Sequence, residues 1–124
     1  MEIRELPGLD VSVDNVAYRP DIDAPSDRPY AFEYCITIRN DSEDTVTIKG
    51  RKWVVTASNG HRVVVEGDGV VGQFPRLSPG EQFTYSSHHV IGSDSFADGA
   101  YFGVTDDGLA VITRIPRFDM QVPG

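Results

Sequence analysis

Three groups of residues in this chain have types and spacings that could do chemistry: a glycine-rich run, three histidines and a single cysteine. Gly67-x-Gly69-x-x-Gly72 has the spacing of a dinucleotide-binding fingerprint. That fingerprint works because a helix N-terminus within a βαβ unit receives the pyrophosphate. Here Gln73-Phe74-Pro75 follows, and Pro75 with Pro79 forbids a helix of useful length. A weaker role survives, since successive backbone N–H groups of a glycine loop can cradle an anion such as pyrophosphate. The preferred account is structural: the glycines supply positive φ and close backbone approach where the chain crosses between sheets.

The histidines do not assemble a metal site. His88 and His89 are adjacent in an extended segment, so their side chains leave on opposite faces. Either would need Asp94, Asp98 or His61, which the sequence does not bring to it, and no metal ligands are assigned. Asp21-x-Asp23-x-x-x-Asp27 begins like a calcium loop. It lacks glycine at the sixth position and has Phe32 at the twelfth, where a bidentate Glu is needed. Cys35 falls on the polar face of its strand beside Glu33, whose carboxylate repels a thiolate. Gly92-Ser93-Asp94-Ser95 is not a nucleophile elbow, and no strand-to-helix turn presents it. No catalytic residue and no cofactor is expected, and an enzyme acting on nucleotides is the least favoured reading.

The elements that must position these residues are strands. Twelve Gly and eight Pro divide short runs rich in Val, Ile, Thr and aromatics, and no Gly- and Pro-free window carries a helical apolar stripe. Tyr30 to Asn40 alternates strictly, with Phe32, Tyr34, Ile36 and Ile38 inward and Glu33, Cys35, Thr37 and Arg39 outward. In the next strand Val46 and Ile48 face inward, but the apolar phase moves to Trp53 and Val55. A bulge or strand switch is therefore expected at Gly50. Asn59-Gly60 predicts a tight hairpin into Arg62 to Glu66, and Asp106-Asp107-Gly108 predicts a second between Tyr101 to Thr105 and Leu109 to Thr113. The remaining strands are Val11 to Tyr18, a run from Glu81 with Phe83, Tyr85, Ser87, His89 and Ile91 on one face, and Phe118 to Val122 after Pro116. Gly67 to Pro79 and Gly92 to Asp98 are expected as loops. The sum is an all-β sandwich of seven to nine strands without significant helix, in one domain over residues 1–124.

Charge and composition narrow the partners. With 19 acidic and 11 basic residues the chain carries −8, which argues against a nucleic-acid partner. Arg39, Lys49, Arg51, Lys52 and Arg62 gather around Trp53, itself expected in the core, whereas no Lys or Arg occurs between Arg76 and Arg114. Such a bipolar surface steers charged partners. No apolar run is long enough to span a bilayer and no signal peptide is read at the N-terminus, so a cytoplasmic location is expected. The lone Cys35 excludes an intrachain disulfide.

Val65-Glu66-Gly67-Asp68-Gly69-Val70-Val71-Gly72 with Pro75, Leu77, Pro79-Gly80-Glu81, Phe83 and Tyr85 resembles the ApaG family. So do Phe32 to Asn40, Gly50-Arg51-Lys52-Trp53 and Ile115-Pro116-Arg117-Phe118, and the resemblance runs from about Val11 to Val122. It departs at Phe96 and Gly103, where many members carry Met. The resemblance implies an immunoglobulin-like or fibronectin-III-like β-sandwich and a poorly defined function. Bacterial members are linked genetically to cobalt and magnesium tolerance or efflux, and eukaryotic relatives carry the domain as an interaction module. It implies no catalytic residues. The expected function is a non-enzymatic module that binds a protein partner through a loop end or sheet edge, with Gly67, Gly69, Gly72, Phe74 and Phe96 as loop candidates. The alternative is a sensor of a divalent cation or pyrophosphate. A homodimer through unpaired sheet edges stays open.

Overall fold

The computed structural model describes residues 2–124, and its regular structure is all strand. In chain order the strands are β1 (Ile3–Glu5), β2 (Leu9–Tyr18), β3 (Tyr30–Asn40), β4 (Val46–Ala57), β5 (Arg62–Asp68), β6 (Arg76–Leu77), β7 (Gln82–Ile91), β8 (Ser95–Thr105) and β9 (Ala110–Met120). They form two sheets. The larger runs β1-β9-β8-β4-β5, with β6 also on β4, and the smaller runs β2-β3-β7. This is the expected β-sandwich.

Alternation decides which side chains lie between the sheets. Phe32, Tyr34, Ile36 and Ile38 of β3 are buried, against Val46, Ile48, Trp53, Tyr101 and Ile115 of the larger sheet. Each fully buried isoleucine contributes about 1.5–3 kcal/mol. In β4 the register against β8 slips between Ile48 and Gly50, so a bulge turns Trp53 inward as the change of phase requires.

Two short strands, β1 and β6, are additional to those expected, and three boundaries near the candidate residues differ. Gly67 is not in a loop; it lies in β5, opposite Arg51. The expected loop from Gly92 to Asp98 ends early, because β8 begins at Ser95 and takes Phe96 and Asp98 into the sheet. The inward residues there are Ala97 and Gly99, opposite Val55 and Trp53 and too small to give an apolar signal, and Asp98-Gly99 reads as a turn. The last strand does not start after Pro116, because β9 runs through it. The β8–β9 register slips between Ala97 and Gly99, leaving Pro116 in a bulge, where a missing N–H removes no ladder bond.

The two sides of the sandwich are unlike. On one side β2 packs against β9, and the buried Thr113 hydroxyl donates to the Leu9 carbonyl at 2.9 Å. On the other, edge strands β5 and β7 stand apart and leave a cleft.

Candidate functional site

The cleft is built by two strand phases. In β7 the inward phase carries Tyr85, Ser87 and His89, with Ser87 opposite Tyr34 and His89 opposite Phe32. In β4 the phase set by the bulge brings in Trp53. Within the smaller sheet the His89 ring stacks on its diagonal neighbour Tyr34, with centroids 4.8 Å apart and planes 23° apart. Trp53 meets His89 edge-on at 4.7 Å, and Phe118 closes the cluster 5.8 Å from Trp53. Val63 and Val65 of β5 form the opposite wall, and the opening holds about 270 Å³.

Two ring nitrogens in this cluster, Trp53 Nε1 and His89 Nε2, are buried without a hydrogen-bond partner. Trp53 is only 2% exposed. A buried polar atom left unpaired costs about 1–3 kcal/mol, so two together need a reason. Burial, helped by the neighbouring charge of His88, pushes the His89 imidazole down to about 4, so it is neutral near pH 7. A neutral imidazole offers one N–H and one lone pair, while an indole offers only an N–H. Burial also raises the Tyr34 phenol above its ordinary value. Arg28 and Arg51 line the same cleft, and no carboxylate does. On a chain of charge −8 the local sign is reversed. Arg51 is held in place by donating to the carbonyls of Asp68 at 2.9 Å and Gly69 at 3.2 Å.

The glycines and phenylalanines expected as loop contacts lie elsewhere. At Gly67 an added Cβ would meet the Arg51 guanidinium at 2.7 Å, so this glycine makes room for that side chain. At Gly69, φ is +66° and a Cβ would meet the Gln73 carbonyl at 2.4 Å. Val71 and Gly72, at φ 43° and 79°, form the centre of a tight turn. The Val70 and Gln73 N–H groups bond to each other's carbonyls at 2.8 and 2.9 Å, and the Gly69 N–H bonds to Lys49 at 2.8 Å. These bonds engage the Gly69, Val70 and Gln73 donors within the turn and its strand. Phe74 is 53% exposed on this turn, with Lys49 Nζ 5.9 Å from its ring centroid. Phe96 is a strand residue covered by Arg117, whose guanidinium is 3.6 Å from the ring.

His88 and His89 do lie on opposite faces, with His88 exposed. Among the described residues no three His, Cys, Asp or Glu side chains converge as metal ligands. The Cys35 thiol is 2.9 Å from the Ser86 hydroxyl on the outer face of the smaller sheet. A wider groove of 460 Å³ on the outer face of the larger sheet is lined by Lys52, Asp98, Arg114 and Arg117, and holds no unpartnered buried polar atom. No helix among the described residues is long and apolar enough to cross a membrane.

Sequence reasoning placed Trp53 in the core and His89 on the inward face of its strand, but did not bring them together. Their shared signal is a polar nitrogen at an inward position. Arg28 gave no signal at all, since it reaches the cleft from a loop.

The chain is similar to known proteins along most of its length. Residues 20–103 match the family profile described as the ApaG domain. Protein ApaG of Shewanella woodyi is 39% identical over 108 residues, 86% of each chain. Protein ApaG of Pseudomonas aeruginosa is 37% identical over 117 residues, 94% of this chain and 92% of that one. Among solved structures, a Bordetella pertussis protein given the name ApaA superposes with a TM-score of 0.81 at 29% identity, over 98% of both chains. The X-ray structure of a structural-genomics target superposes with a TM-score of 0.84 at 31% identity, over 94% of this chain and 89% of that one.

Proposed function

The chain belongs to the ApaG domain family, and from that premise we propose that it is a non-catalytic binding module whose recognition site is the cleft between β5 and β7. The observation that carries this reading is the pair of buried, unpartnered nitrogens, Trp53 Nε1 and His89 Nε2, in a cleft with two arginines and no carboxylate. The ligand chemistry that fits is an anionic, hydrogen-bond-accepting group on an apolar body, such as a carboxylate at an apolar chain end of a protein partner. The valines and aromatic rings take the body, and Arg28 and Arg51 take the charge. This moves the expected contact from the loop ends to a cleft beside a sheet edge.

A cation fits this cleft poorly, because its charged groups are guanidinium ions. The link to cobalt and magnesium tolerance that the family resemblance implies runs, on this reading, through a partner rather than a bound ion.

Trp53 is the only tryptophan, so its fluorescence reports on the cleft. The protein is titrated with short apolar peptides ending in a free carboxylate, with their C-terminally amidated counterparts, and separately with Co²⁺, Mg²⁺ and pyrophosphate. Saturable change with the free acids is expected, about tenfold weaker for the amides and for Arg28→Gln, a loss of about 1.4 kcal/mol. Saturation by Co²⁺ or Mg²⁺ with no response to peptide would replace this reading with the cation sensor. Saturation by pyrophosphate alone would replace it with an anion sensor.

A further inference from the structure

We infer that the free edge of β5 pairs with the β5 edge of a second copy of this chain, across a two-fold axis through Val64. This inference is independent of the cleft ligand.

β5 ends the order of the larger sheet. Its centre is exposed and apolar, with Val63, Val64 and Val65 at 39%, 53% and 41%. Between Arg62 and Glu66 it holds no proline, glycine, lysine or bulge, and its register on β4 is unbroken. Those are the devices that keep edges from pairing. Two other edges have them: β1 is three residues long, and β2 is bulged between Val13 and Asn15. The β7 edge lacks them but exposes no large apolar residue.

The backbone fixes which residues are free to pair. Ala57 N–H donates to His61 at 2.8 Å and Gly69 N–H to Lys49 at 2.8 Å. Antiparallel alternation therefore turns the odd-numbered residues of β5 toward β4, and the N–H and C=O groups of Arg62, Val64 and Glu66 toward the open edge. An antiparallel copy centred on Val64 places Val64 opposite its own counterpart and Arg62 opposite Glu66, twice. These three residues own the free backbone groups, so every pair can exchange both hydrogen bonds. Unlike charges then lie directly opposite on one face, and Val63 meets Val65 on the other. Moving the axis by two residues sets Arg62 against Arg62 or Glu66 against Glu66, which like charges disfavour. The sequence Arg62-Val63-Val64-Val65-Glu66 is thus complementary to itself in one register, which is why the occupant is a second copy and not an unrelated strand. Val63 and Val65 also line the cleft, so pairing sets the two clefts on either side of the axis.

One strand pair buries less than a standard interface, so a dissociation constant on the order of 10⁻⁵ to 10⁻⁴ M is expected. Sedimentation equilibrium over about 10 µM to about 1 mM tests it. The unmodified chain should move from 13.6 kDa toward twice that mass. Arg62→Glu alone and Glu66→Arg alone should each hold it monomeric, and the double variant should dimerise again. Both positions are exposed, and circular dichroism confirms that each variant is folded. A chain monomeric throughout the range overturns the proposal. So does a dimer that survives either single reversal, or a double variant that fails to recover.

Discussion

His89 shows how one residue sets both the site and a pH dependence. Its ring packs against Tyr34 and Phe118, with centroids 4.8 and 6.3 Å away, and burial lowers its pKa to about 4, against an ordinary value of 6.5. Between those values the unfolded chain binds a proton that the folded chain refuses. Stability is therefore whole above 6.5 and is lost as the pH falls toward 4. A gap of that width is worth about 3 kcal/mol. The carboxylates of Asp14, bonded by Thr37, and of Asp21, bonded by Arg19, are held below their usual range, and their contribution is lost at more acid pH. Urea midpoints measured from about pH 7 down to about pH 4 should fall steadily, and His89→Phe should flatten the upper part of that curve. An unchanged slope in His89→Phe would mean that the imidazole is not buried as described. The same variant removes one of the two unpartnered nitrogens, so it should also weaken the peptide response of Trp53.

At the scale of the element, Trp53 is placed by β8 as much as by its own strand. Gly99 lies opposite Trp53 in the register, and a Cβ at Gly99 would come within 2.0 Å of the Lys52 carbonyl and 3.2 Å of the Trp53 Cα. Gly99→Ala should push β4 away at that point. The expected cost is about 3 kcal/mol in denaturant unfolding, with a change in the near-ultraviolet dichroism of Trp53. A variant as stable as the parent would show that β4 and β8 do not approach so closely. This close approach was not legible in the sequence, where Asp98-Gly99 reads as a turn. β3 was legible from end to end, because each inward position carries a large apolar or aromatic residue and nothing interrupts the alternation. β8 and β9 were misread at their bulge because the inward Ala97 and Gly99 carry no apolar signal and Pro116 reads as a strand start. The cleft was hidden for a different reason. His89 and Trp53 were each assigned the correct face, but only the packing of two sheets brings their rings together, and no spacing along the chain encodes that distance.

For the whole molecule, the question is what holds two sheets at a fixed offset when one side of the sandwich is open. Asn40, fully buried at the end of β3, ties the smaller sheet to the larger. Its Nδ2 donates to the carbonyls of Leu77 in β6 at 2.8 Å and of Asp44 at 2.7 Å. Its Oδ1 accepts from the Ser42 amide at 3.0 Å and the Ser42 hydroxyl at 2.6 Å. Its backbone bonds the chain just before β7, donating to Glu81 at 2.9 Å and accepting from Gly80 at 2.7 Å. Every polar group of the residue is used. Asn40→Ala strands several buried partners at once and should cost about 3 kcal/mol. On the closed side, Thr113 crosses between the sheets with one side-chain bond to Leu9. Thr113→Val, which keeps the shape, should cost about 1 kcal/mol. Chemical denaturation of the two variants side by side measures the difference. If Asn40→Ala costs no more than Thr113→Val, the sheets are not tied through Asn40. Their offset, and with it the meeting of Trp53 and His89, would then rest on core packing alone.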